Sequence, residues 1–187
     1  PATVRRRTPE FRDKVEVWRR DDAHLTTTSR TDPKMDGRHP ALARLDALVG
    51  RWIVRPRVEG LGDAWAEFAW QDGGAFLRQI SDVDAIPATA PQAWRDNAPF
   101  PTTAVIGLDD ASEEFTMLYA DARGVHRVYQ MTLDDGVWAI WRDAPGFNQR
   151  FTGTLSPDGD TVDAQWEMSK DGVTWNVDFA LTYIRES

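Results

Sequence analysis

The chain contains no cysteine. That excludes disulfides, a thiolate nucleophile and Cys-ligated zinc, and it makes a reducing cytoplasm the expected compartment. Histidine is almost as scarce, with three in 187 residues. His24 and His39 fall in or beside an N-terminal linker and only His126 in a strand-like run, so no metal-ligating spacing occurs and no metal site is expected. No apolar run approaches the roughly 20 residues that span a bilayer, so no membrane is expected as partner. The nucleophile elbow, the P-loop, the dinucleotide fingerprint and paired catalytic carboxylates are missing as well. The opening stretch, "PATVRRRTPEFRDK", has arginines but no apolar core behind them, and neither a secretory nor a lipidation signal is expected from it.

What is present is aromatic and acidic. Nine Trp, eight Phe and three Tyr accompany a formal net charge of -8. Residues 1–39 carry ten Lys/Arg against seven Asp/Glu, leaving twelve against twenty-three in the remainder. An acidic body repels phosphate backbones, so nucleic acid is not an expected partner, and the Arg5, Arg6, Arg7 cluster reads as a solvated tail.

Two regions follow from the pattern: a partly flexible N-terminal arm, 1–39, and a folded domain, 40–187. Within the arm, Phe11, Val15 and Trp18 have helical spacing. "HPALARLDALVG" then predicts a short amphipathic helix, with Pro40 in its first turn, Leu42, Leu45 and Val49 on one stripe and Gly50 as its stop. From Gly50 onward the period changes to two, in short runs separated by "DGG", "DARG", "DDG", "SPDGD" and "KDG", which suit tight hairpins. Ten strands are expected, near 51–59, 64–71, 75–83, 102–108, 114–121, 124–133, 136–143, 148–156, 161–169 and 173–185. So many consecutive hairpins make an antiparallel meander that closes on itself to remove its edges. The fold class is therefore all-β, a closed antiparallel barrel preceded by a short helix. One long connection, "DAIPATAPQAWRDNAPFP", suits a lid, with Trp94 and Phe100 to bury.

The helix running into "LVGRW", followed by the meander, resembles the calycin superfamily of lipocalins, fatty-acid-binding proteins and nitrobindins. "HPALARLDALVGRW", "YADARGVHRVYQMTL" and "DGVWAIWRDAPGFNQRFTG" are most similar to an uncharacterised bacterial barrel family allied to the nitrobindins. The resemblance extends over roughly residues 38–185. It implies that Trp52, after Gly50, plugs the closed end. Nitrobindins hold haem through a His near the last strand, and "VTWNVDFALTYIRES" has none, so no cofactor is expected.

Several residues could carry chemistry inside such a barrel. Arg127 and Tyr129 share a face of one strand, and Tyr183 and Arg185 make a second such pair; a guanidinium fork with a phenol beside it suits a carboxylate, in the logic of fatty-acid-binding proteins. Gln149 shares its parity with Phe147 and Phe151, so it should point inward and need partners there. Arg142, beside Asp143, is either a ligand contact or half of an ion pair locking the turn. Trp65, Trp70, Phe115, Met117, Tyr119, Trp141, Phe151, Trp166, Trp175 and Phe179 are candidate apolar wall. The expected function is binding of a small, largely apolar molecule, with Arg127, Tyr129, Trp141, Arg142, Gln149, Phe151, Trp166 and Trp175 as the ligand-binding set. The alternatives are a cofactor-independent isomerase, cyclase or lyase, with His126 or Tyr129 as acid or base, and nitrobindin-like haem binding. Assembly as a homodimer stays open.

Overall fold

A computed structural model describes residues 38–109 and 111–187. The helix expected around Phe11, Val15 and Trp18, and nearly all of the arm, lie outside the described residues. Ten strands follow in order: β1 Gly50–Pro56, β2 Ala64–Gln71, β3 Phe76–Asp82, β4 Thr102–Leu108, β5 Phe115–Asp121, β6 His126–Asp134, β7 Val137–Arg142, β8 Asn148–Leu155, β9 Thr161–Ser169 and β10 Asn176–Arg185. Each pairs antiparallel with its neighbours in sequence, and β10 returns to pair with β1, which closes the barrel. No helix among the described residues is long and apolar enough to cross a membrane.

The short helix expected before β1 is present as a 3-10 helix, Pro40–Leu48. Its buried residues are Leu42, Leu45 and Leu48, three apart, as three residues per turn requires. Val49 drops out of the predicted stripe because it caps the helix and already has extended backbone. This plug seals one end of the barrel. The indole of Trp52, 1% exposed, donates to the Leu48 carbonyl at 2.8 Å. Arg185 lies over the Trp52 ring at 4.1 Å and donates to the carbonyls of Val49 and Ala47 at 2.6 and 2.8 Å, tying the last strand to the plug. Gly50 allows this approach: its φ is +124°, and a Cβ there would lie 3.1 Å from an Arg185 nitrogen. Arg185 therefore fastens the closed end, and its sequence partner Tyr183 faces the interior. Trp70 and Phe115 also belong to this end, under Arg38 and Arg44.

At the other end lie the C-terminus of β5 and the N-termini of β6 and β8. The long connection from β3 to β4 crosses there and carries one short helix, α1, Gln92–Asn97. Two features of β7 and β10 set which side chains enter the barrel. In β7 the buried positions are Trp138 and Ile140, so Trp141 faces outward. In β10 the register shifts between Val177 and Phe179, leaving Asp178 as an extra residue opposite the Glu167–Trp166 step of β9. A bulge of one residue exchanges the two faces of a strand. Phe179, Leu181 and Tyr183 line the interior, whereas Val177 is 59% exposed.

Candidate functional site

The barrel encloses a cavity of about 410 Å³, within the range of small-molecule sites. Its deep part is formed by Trp138, Ile140, Phe151, Leu181 and Tyr183, with Trp166 and Met117 on the walls. The mouth is roofed by the β3–β4 connection, where Trp94 packs edge-on against Phe179 with centroids 5.1 Å apart. Rings meet edge to face through most of this interior, as at Trp138 and Phe151, 4.8 Å apart.

A polar cluster interrupts the apolar wall near the mouth. Alternation along β6 turns Arg127 and Tyr129 inward, and β8 brings Gln149 beside them, 8% exposed. The Tyr129 hydroxyl donates to Gln149 Oε1 at 2.8 Å, and Arg127 Nη1 donates to the same oxygen at 3.1 Å. Chemistry fixes that amide orientation, because the reverse would set an N–H₂ against a guanidinium. Arg127 also lies over the rings of Phe147 and Tyr119, at 5.0 and 5.9 Å. No carboxylate among the described residues pairs with it, whereas nine other arginines have one.

A second chain of bonds links the cavity to its roof. Tyr119 donates to Asp121 Oδ2 at 3.0 Å, and Arg123 grips the same carboxylate at 2.6 Å while donating to the Asn97 carbonyl of the roof at 2.9 Å. The Arg123 bond, aided by the Tyr119 hydroxyl, holds the Asp121 carboxyl down to about 2. Burial, then Asp121, pushes the Tyr119 phenol upward, and burial alone does the same to Tyr183. Both phenols stay protonated, and that of Tyr119 acts as a neutral donor to Asp121. Asp178, at the mouth, is raised by desolvation. On β3, Gln79 donates from Nε2 to Ser81 Oγ at 3.0 Å, and its Oε1 is buried without a partner among the described residues. The Trp138 indole N–H is likewise buried and unpartnered. Such orphaned groups cost on the order of 1–3 kcal/mol each.

No protein-family model matches the chain, and no curated protein matches it. Among solved structures it is similar to the crystal structure of Rv2717c from M. tuberculosis, with 16% sequence identity and a TM-score of 0.50. The match covers 81% of this chain and 100% of that one. The likeness is one of fold. It supports the closed barrel and leaves the interior to be read from its own residues.

Of the residues singled out from sequence, Arg127, Tyr129, Gln149, Phe151 and Trp166 converge on the cavity, joined by Met117, Tyr119 and Phe179. Arg142 points inward but sits 5.8 Å from the Tyr129 ring, behind the lining. Trp70 and Phe115 lie at the closed end, away from the cavity, and four further positions face outward. Trp141 pairs with Gln130 and Arg150 on the outer surface, on the face of β7 opposite Trp138 and Ile140. Trp175 stacks on Arg150 at 4.3 Å, outside, because the Asp178 bulge reverses the faces of β10 and the strand starts at Asn176. Trp65 covers Arg51 at 4.4 Å, also outside. His126 is exposed, on the face of β6 opposite Tyr129, so the geometry leaves no acid–base pair of His126 and Tyr129 within the barrel. His39 accepts a hydrogen bond from Ala41 at the helix start. A His-ligated haem therefore does not fit the described lining, and no group of three metal-ligating side chains occurs among the described residues.

Sequence reasoning missed Gln79, Ser81, Arg123, Trp138 and Asp178, all of which line the cavity. "FLRQISD" mixes apolar and polar residues on both faces, so its parity gives no signal. Arg123 sits in a turn, and its reach to the roof is a tertiary fact.

Proposed function

We propose that the barrel binds a small, largely apolar molecule in its interior, as calycin-type carriers do, with a polar end of that molecule held near Arg127. The observation that carries this reading is an aromatic-walled space of about 410 Å³ into which an arginine projects that has no carboxylate partner among the described residues. The polarity of the held end follows from donor and acceptor accounting. Gln149 Oε1 is already engaged by two donors, so its N–H₂ and the remaining guanidinium N–H groups are what the cluster offers. A ligand end that answers them is an acceptor, best of all an anion such as a carboxylate.

Native mass spectrometry of freshly purified protein, and of protein incubated with 2-naphthoate, tests this. The expected result is a small-molecule adduct that survives gentle ionisation and is lost on denaturation. A bare chain under both conditions contradicts the reading. Replacing Arg127 with Leu should weaken 2-naphthoate binding by roughly tenfold or more, since a charge-assisted hydrogen bond contributes about 1.5–3 kcal/mol. Isothermal titration calorimetry measures it, and unchanged affinity would move the polar end elsewhere.

A further inference from the structure

The wall facing Gln149 holds a polar group that the reading above leaves unused. In a ring of ten strands β3 lies five places from β8, so the two face each other across the cavity. Gln79, half-buried, enters from β3 between Leu77 and Ser81, and Ser81 and Thr102 beside it are buried. Its amide nitrogen is spent on Ser81, and its oxygen is buried with no partner among the described residues. A leucine would fill the same wall without that unmade bond, so the glutamine fits a wall that receives a donor from outside the chain.

The register gives the spacing. Gln79 pairs with Ala104, Ala104 with Tyr119, and Tyr119 with Arg127, so Gln79 and Arg127 lie on one row of the sheet, three strands apart. That is roughly 14 Å around the wall at about 4.8 Å per strand, and the two long side chains reach toward each other across less. One side of the cavity thus offers donors and the other an acceptor. Between them stand aromatic faces, and the volume holds on the order of 14 non-hydrogen atoms at about 30 Å³ each, the share of a water in the liquid.

We infer that the ligand is a hydroxylated, ring-bearing organic acid, its carboxylate at Arg127 and Gln149 and its hydroxyl donating to Gln79 Oε1. This rests on the carrier reading and adds the second polar group to it. The test is titration calorimetry of the full chain with 2-naphthoate and with its 3-, 6- and 7-hydroxy derivatives, which fit the volume and place the hydroxyl at different reaches. At least one hydroxy isomer should bind roughly fivefold tighter than 2-naphthoate, because a site built to pair a hydroxyl discriminates against its absence. In Gln79→Leu the ratio between that isomer and 2-naphthoate should fall below roughly two. Gln79→Met, of similar length, supplies the same comparison should the leucine variant unfold. If 2-naphthoate binds and no isomer gains, or if the gain survives in both variants, the inference is overturned while the carrier reading stands. If none of the four acids binds, the inference is overturned, and the carrier reading falls with it when the freshly purified protein also carries no small-molecule adduct.

Discussion

At Gly153 an added methyl group would meet Val162 Cγ1 at 2.9 Å and the Phe151 ring at 3.2 Å. Phe151 lines the cavity, so the missing side chain on β8 sets where that ring stands. Gly153→Ala should therefore lower stability by about 1–3 kcal/mol, the usual cost of overpacking, as read from urea denaturation. Asp121 yields a pH prediction. Its folded-state pKa, about 2, lies below the ordinary value near 3.9, so its contribution is fully present above about pH 4 and lost as pH falls toward 2. Because Arg123 is 34% exposed, the contribution is discounted to about 1 kcal/mol. Asp121→Asn should be less stable than the parent at neutral pH by about that amount, and the two should converge near pH 2. A constant difference across that range would contradict the assignment. Single residues were legible where their neighbours agreed: Gln149, between Phe147 and Phe151, faces the interior as its parity indicates, whereas for Arg127 and Tyr129 parity gave only a common face, and the inward side is set by the packing of β6.

Among elements, the β3–β4 connection is held mainly by polar links at the mouth. Arg123 ties it to β5 through the Asn97 carbonyl, and Ala122 donates to the carbonyls of Pro99 and Pro101. Cutting the Arg123 link should ease opening more than it alters the cavity walls. Arg123→Ala is therefore expected to raise the dissociation rate of a bound aromatic acid by roughly three- to tenfold, the loss of about 1 kcal/mol. Stopped-flow tryptophan fluorescence reads it, and an unchanged rate would mean that the roof does not limit release. The strands themselves could be read because turn residues and alternation agree at nearly every boundary. What could not be read is instructive in physical terms. "VWAIWR" in β7 is apolar on both faces, so Trp138 and Trp141 exchange roles with a shift of one residue. The bulge at Asp178 leaves no mark in composition, yet it turns Trp175 and Val177 to the outside. In the plug, Leu42, Leu45 and Leu48 carry the three-residue period that an α-helical stripe ending at Val49 overlooked.

For the whole molecule, the formal net charge of -8 contrasts with the cation inside it. A negatively charged ligand is repelled at long range and attracted only once within reach of Arg127. Salt shortens that repulsion, since the Debye length falls from about 30 Å at 0.01 M to about 8 Å at 0.15 M. The association rate of 2-naphthoate should accordingly rise, by roughly two- to threefold, over that range, opposite to the trend for a site at a basic surface. A rate that falls with salt would place the encounter under the control of a local positive field instead. The closed barrel, its plugged end and its roofed mouth together make the interior the central feature of the molecule, and locating a ligand there is the direct test. In a crystal structure of the protein with saturating 2-naphthoate, the naphthalene should lie among Trp166, Phe151 and Phe179, with its carboxylate within hydrogen-bond reach of Arg127. Naphthoate bound only on the outer surface, with the barrel interior free of it, would contradict the account.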